Sequence, residues 1–290
     1  MRVDVAAPGL VVPGRCLRVG VGWSALQRLS VDIDLTYLPV ETRARSLAAI
    51  DAAMKRIVKR IEDTIPGARV TQNLSETVIT RLTVRAASVQ TKIEVTPVLR
   101  GTVYPTSLRT VSPAVEDGFG FAEINVVSFS DLYAGKLVAA LDRQHPRDLF
   151  DVRDLFAHEG IDDDLRRAFI VYLLSHGRPM FEVLKAVPKN IGPEFLRGFE
   201  GMTEMPVTVD ELTAARALLV DAIVREMPHE HRRFLVSFEE GRPDWSLLGV
   251  PGAEQLPAVL WRQQNLDNLD PKKRASLVAG LKDVLGIDEE

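Results

Sequence analysis

Apolar and polar positions alternate in Val31-Asp-Ile-Asp-Leu-Thr-Tyr-Leu38, a run rich in strand-forming side chains that predicts a β-strand. From residue 41 to 65 the period lengthens. Leu47, Ile50, Met54, Ile57, Val58 and Ile61 recur at helical spacing until Pro66-Gly67, which predicts one long helix. Three strand-like runs follow at 68–72, 77–86 and 90–96, the last closed by Pro97. Residues 99–120, broken by Pro105 and Pro113, read as an extended segment or loop, and 121–127 as a last strand.

The pattern changes after residue 128. Helical periodicity dominates over 131–143, 147–158, 162–176, 208–227, 253–269 and 271–285, with Ser130 expected as the first N-cap. Pro146, Gly177-Arg178-Pro179, Pro206, Pro228 and Pro251-Gly252 separate these segments. The fold class that follows is α/β (α+β): a small mixed-sheet domain over 1–128 and a helical domain over 129–290.

Composition narrows the chemistry by exclusion. The chain has 290 residues, 46% of them hydrophobic and 26% charged, which suits an ordinary globular protein with a sizeable core. A single cysteine, Cys16, excludes an internal disulfide and a multi-cysteine zinc site. No run of about 20 apolar residues exists to span a membrane, and Asp4, Pro8 and Pro13 suit neither a signal-peptide core nor a transit helix. A cytoplasmic protein is expected. With 36 Lys and Arg against 40 Asp and Glu, the net charge of −4 argues against a generally basic nucleic-acid coat. Any grip on a polyanion must be local.

Three acids stand out. Asp32 and Asp34 lie two apart in a predicted strand, so both side chains leave one face while Ile33 and Leu35 point to the other. Carboxylates crowded in this way repel unless a cation lies between them, and hard oxygen ligands suit Mg²⁺, which takes one or two carboxylates plus substrate phosphates. Glu94 alternates with Ile93 and Val95, and a neighbouring position for its strand would add a third carboxylate for one or two metal ions. The alternative for Glu94 is an exposed acid paired with Lys92 or Arg81. Upstream, Gly22 and Ser24 form a small-residue turn whose amides can approach a phosphate.

On the first helix after the junction, Lys136 stands among Ala134, Gly135, Ala139 and Ala140, where an ammonium can be half buried and aimed at an anion such as a triphosphate. A snorkelling surface lysine is the alternative. Asp148 and Asp151 share a helical face, and Arg147 to Asp151 is a simple i,i+4 ion pair. Basic clusters occur at Lys55-Arg56 with Lys59-Arg60, at Arg166-Arg167, at Arg232-Arg233 and at Lys272-Lys273-Arg274. Each is a possible phosphate grip or a solvated helix face.

Together these segments resemble the AbiEii/MenT-type nucleotidyltransferase toxins of bacterial toxin–antitoxin systems, within the nucleotidyltransferase superfamily. The resemblance rests on the Gly22-Trp-Ser24 turn followed by Arg28-Leu-Ser-Val-Asp-Ile-Asp34. It rests equally on Asp131-Leu-Tyr-Ala-Gly-Lys-Leu-Val-Ala-Ala-Leu-Asp-Arg143 with Arg147-Asp-Leu-Phe-Asp151. Two departures accompany it: Trp23 stands where the family usually has a second glycine, and the interval from Ser24 to Arg28 is short.

The resemblance implies that Asp32 and Asp34, with Glu94, hold Mg²⁺ or Mn²⁺, and that Gly22, Ser24 and Ser30 lie near the phosphates of a nucleoside triphosphate. Lys136 becomes a triphosphate contact, and Asp148 a required acid that holds Lys136 or the nucleotide. The implied activity is nucleotide transfer to RNA, foremost the 3′ end of tRNA, which blocks translation. A monomer is expected, with a cognate antitoxin encoded nearby. A protein or small-molecule hydroxyl as acceptor, or a catalytically silent binding module, remain the alternatives.

Overall fold

The computed structural model describes residues 10–11, 32–111 and 113–287. The chain divides into two compact units, Met1–Leu132 and Tyr133–Glu290.

In the first unit, β1 (Leu10–Val11), β2 (Asp32–Tyr37), β3 (Arg69–Ser75), β4 (Val78–Ala86) and β5 (Val89–Val95) form one sheet in the order β1-β2-β5-β4-β3. The β2–β5 pair is parallel, and the other pairs are antiparallel. A parallel pair needs a crossover, and it contains α1 (Arg43–Thr64), the helix expected over 41–65. Helix α1 buries Ile50, Ala53, Met54 and Val58 against Leu35, Leu82, Ile93 and Val95 of the sheet. Leu82, Ile50 and Met54 have no exposed surface; truncating such a side chain to alanine costs about 2–5 kcal/mol. The apolar alternation of each strand is thus spent on one face, under α1.

Two expectations need correction here. The stretch after Pro97 is not only loop, because β6 (Ser107–Thr110) and α2 (Pro113–Phe119) form within it. The last strand, β7 (Glu123–Val126), pairs with β6 in a separate two-stranded sheet. The first helix after the junction, α3 (Phe129–Asp142), begins one residue before Ser130. Its cap is Ser128, whose Oγ accepts from the Asp131 amide at 3.0 Å. The Asp131 carboxylate is buried and accepts from Ser128 Oγ and from the amides of Val103 and Tyr104 at 2.7–3.0 Å, which anchors the start of α3 to that loop.

The second unit is helical. It continues α3 and adds α4 (Pro146–His158), α5 (Asp163–Leu174), α6 (Met180–Lys185), α7 (Gly192–Gly198), α8 (Val209–Val220), α9 (His229–Glu239), α10 (Pro257–Asp267) and α11 (Pro271–Leu285). A π-helical turn, Asp221–Arg225, extends α8, and Arg166 donates to the carbonyl of Ala222 within it. Helices α6, α7 and α9 were not expected from the sequence pattern. Pro228, read there as a breaker, occupies the N-cap position of α9. No described helix is long and apolar enough to cross a membrane.

Candidate active site

The sheet register sets the first group of acids. Asp32 pairs with Lys92, Ile33 with Ile93, Asp34 with Glu94 and Leu35 with Val95. Partners directly opposite point to the same side, so Asp32, Asp34 and Glu94 share the face that α1 does not cover. The condition attached to Glu94 is met: its strand is the immediate neighbour of the Asp-x-Asp strand. Strand β4 lies beyond, with Arg81 opposite Glu94, and Arg81 Nε donates to Glu94 Oε1 at 2.7 Å. Glu94 is thus a register neighbour of Asp34 and is held by Arg81, the pairing given as its alternative.

Asp32 is less well served. Lys92 Nζ stands 3.9 Å from its Oδ1, beyond hydrogen-bond reach. Among the described residues this oxygen is buried with no hydrogen-bond partner. Stranding a carboxylate oxygen without a donor is costly, and a divalent cation is the natural partner for it. The donor set fits Mg²⁺ or Mn²⁺, since two aspartates supplemented by phosphate oxygens are what Mg²⁺ commonly accepts. A three-acid centre is not ready-made: among the described residues no three His, Cys, Asp or Glu side chains are gathered closely enough to hold a metal ion. Gly22, Ser24 and Ser30, with Trp23, lie outside the described residues.

The second group of acids, on α4, is arranged differently. Lys136 is largely buried, with its side chain 20% exposed, and its Nζ donates to Asp151 Oδ2 at 2.6 Å; Asp151 is 1% exposed. Asp148 was expected to hold either Lys136 or the nucleotide, and Arg147 was expected to pair with Asp151. Both pairings are corrected. Asp148 accepts from Arg143 Nε at 2.6 Å and Nη2 at 2.8 Å, a two-pronged contact on a buried carboxylate. Arg147 instead donates to Met202 Sδ at 3.6 Å. Asp154, also buried, takes Arg153 at 2.8 Å, and the Arg153 guanidinium lies 4.3 Å from the centre of the Phe150 ring.

The α3–α4 turn fixes these pairings. Gln144 adopts the left-handed backbone region at φ 54°, and its buried amide donates to the Val187 carbonyl and accepts from the Lys189 amide. His145 then caps α4, with Nδ1 accepting from the Arg147 amide at 3.2 Å ahead of Pro146 at the first helical position. Burial lowers the His145 pKa, which keeps the imidazole neutral and able to accept. Gly135 of α3 faces the Tyr172 ring of α5, where a Cβ would make ordinary contact at 3.4 Å. Asp151, Arg143 and Gln144 are the residues that sequence reasoning did not place. The signals for Asp151 were its helical phase with Asp148 and its place in the Arg147–Asp151 motif, and neither named Lys136 as its partner.

Cavities of about 590 and 1020 Å³ border α9 and α11, lined by residues such as Arg232, Glu240, Arg274 and Lys282. None of the acids described above lines them.

Comparison with known proteins agrees with the motifs. The profile of the nucleotidyl transferase AbiEii toxin family, type IV toxin–antitoxin system, matches residues 14–261. The fold is similar to that of the MenT4 nucleotidyltransferase toxin of Mycobacterium tuberculosis H37Rv, with a TM-score of 0.54 and 18% identity over 95% of this chain and 84% of that one. No curated protein sequence matches. The family match covers most of the chain and includes both the strand acids and the Lys136 helix, so the chain belongs to the AbiEii family of nucleotidyltransferase toxins.

Proposed function

We propose that this toxin transfers a nucleotide from a nucleoside triphosphate to the 3′ end of an RNA, foremost a tRNA, and so halts translation. The observation that supports this best is the parallel pairing of β2 with β5, which sets Asp32, Asp34 and Glu94 on the sheet face opposite α1, Asp34 and Glu94 in one row and Asp32 in the next. Asp32 and Asp34 hold Mg²⁺ or Mn²⁺, and Glu94 joins them when Arg81 turns aside. When bound, such an ion neutralises the triphosphate and activates an attacking oxygen.

The chain's own residues do the remainder. These acids orient the acceptor hydroxyl toward the α-phosphorus, and one of their carboxylates takes the hydroxyl proton as pyrophosphate leaves. Gly22, Ser24 and Ser30 contact the phosphates. Lys136 serves the triphosphate, with Asp151 fixing its ammonium, while Asp148 acts through Arg143 to hold the helix pair in place. The toxin acts in the cytoplasm as a monomer, and the antitoxin that its family implies restrains it.

The test is incubation of the full chain with Mg²⁺, each labelled nucleoside triphosphate and total RNA, followed by sequencing of RNA 3′ ends. Label on tRNA 3′ ends is the expected result. Label confined to protein or to a small molecule would move the reaction to that acceptor, and transfer to nothing at all would leave a silent binding module. Growth on induction gives a second readout: Asp32→Ala, Asp34→Ala and Lys136→Ala should each relieve arrest.

A further inference from the structure

The basic clusters that the sequence offers for RNA are largely occupied within the protein. On α1, Lys55 pairs with Asp51 at 2.7 Å and Lys59 with Asp63 at 3.6 Å. Arg167 pairs with Asp163 at 2.7 Å. Arg232 gives its three nitrogens to the carbonyls of Met227, Leu285 and Arg225. Arg274 reaches the Leu266 carbonyl. Cations engaged in this way are weaker candidates for a grip on a polyanion.

The sheet face opposite α1 supplies another. Its register builds three polar rows: Asp34–Glu94–Arg81–Asn73, then Asp32–Lys92–Thr83–Thr71, then Gln90–Arg85–Arg69. Charge separates across these rows. The acids sit on β2 and β5, and the arginines on β4 and β3, where Arg69, Arg81 and Arg85 are exposed. Arg69 stands directly opposite Arg85, a like-charge pair that destabilises an antiparallel ladder unless an anion lies between. Arg85 Nε is held by the neutral Gln90 at 2.8 Å, and among the described residues no carboxylate pairs with Arg69 or Arg85 to relieve the repulsion. The rows contain no aromatic side chain for base stacking, only cations and small hydrogen-bonding groups. The third row lies four residues along β4 from the Glu94 row, roughly 13 Å at about 3.4 Å per residue.

We propose that this face is the platform for the acceptor strand, with backbone phosphates of a single-stranded RNA 3′ segment clamped at Arg69 and Arg85 and the strand running past Lys92 and Thr83 to the acids. This rests on the reading that RNA is the acceptor, and it assigns the grip to the sheet rather than to the helices. Phosphate contacts without base contacts make binding indifferent to sequence and steeply dependent on salt.

The test is binding of a fluorescent single-stranded RNA oligonucleotide to the full chain in EDTA across a salt series, so that no chemistry is needed. Arg69→Gln with Arg85→Gln should weaken binding about tenfold or more and lower the salt slope by about 1.4, at about 0.7 for each phosphate no longer neutralised. Arg69→Lys with Arg85→Lys should restore most of both, and Arg56→Gln on α1 should change neither. Unchanged affinity and slope in the double glutamine variant would overturn the platform, as would failure of the wild type to bind RNA at low salt. If binding behaves as expected while no RNA is ever labelled, the platform stands and the transfer reaction falls. Should RNA be labelled with equal efficiency by wild type and double variant, the reverse holds.

Discussion

The strand acids and the helix acids of this toxin solve opposite problems. On α4, Asp148, Asp151 and Asp154 are buried, and each meets its own cation at 2.6–2.8 Å. On the sheet, Asp32 keeps a buried oxygen with no hydrogen-bond donor among the described residues and a lysine only at 3.9 Å, while Glu94 is held by an arginine that is half exposed. A buried carboxylate matched to a cation is already satisfied within the fold, and the Lys136–Asp151 pair also joins α3 to α4. One left short of donors is prepared for something that binds later. Counting acids in the sequence cannot separate the two kinds, because the difference lies in what the fold places opposite them.

That contrast breaks most visibly in activity. Asp32→Ala or Asp34→Ala should reduce nucleotide transfer on the order of 10²–10³-fold by removing a ligand to the ion that meets the developing charge. The same variants should melt at or slightly above the wild-type temperature, since carboxylate crowding is relieved. The helix acids should do the reverse. Lys136→Met removes the cation that the buried Asp151 carboxylate meets at 2.6 Å, at a cost of about 3–5 kcal/mol, so the melting temperature should fall by roughly 6 °C or more. Adding Asp151→Leu should recover most of that stability. If growth arrest stays absent in the repaired double variant, Lys136 has a role beyond packing; if arrest returns, its role is structural alone.

A smaller effect concerns Glu94. Its contact with Arg81 is a partly exposed pair, worth about 1 kcal/mol at most. Arg81→Gln should leave stability nearly unchanged and lower by a few-fold the Mg²⁺ concentration that half-saturates transfer. A rise instead would show that Arg81 positions the carboxylate rather than withholding it.

The mildest prediction is a pH effect confined to the helical unit. Burial lowers the pKa of His145 and of His231 below the ordinary value of 6.5. The unfolded chain therefore binds more protons than the folded one below about pH 6.5. Their contribution is complete above that pH and is lost as pH falls through the depressed folded values. Thermal melts between pH 7 and 5 should show declining stability, and His145→Asn, which can still cap α4, should flatten the decline.

Much of the first unit was legible because its strands alternate cleanly and α1 keeps one apolar stripe. The acids at 32, 34 and 94 could be named from alternation alone, but only the β2–β5 register makes them neighbours. In the second unit the motif around Lys136 identified the helix and missed its partner, since Asp151 and Asp148 share a helical face and only the α3–α4 turn decides which carboxylate meets Lys136. Helix α9 was overlooked although His231, Phe234, Leu235 and Phe238 have helical spacing, because a charged run after Pro228 hides the stripe. Helices α6 and α7 are too short to carry a local period and owe their form to packing, as with Phe199 at the end of α7, whose ring centre lies 5.6 Å from that of Phe150 on α4.

The most direct measurement of the central claim is Mn²⁺ binding to the full chain, followed by electron paramagnetic resonance without nucleotide or RNA. Wild type and Asp148→Asn should bind the ion with closely similar affinity, while Asp32→Ala should lose the site. Equal binding by Asp32→Ala and wild type, or loss of the site in Asp148→Asn alone, would contradict the division of the acids into a metal-holding strand group and a structural helix group.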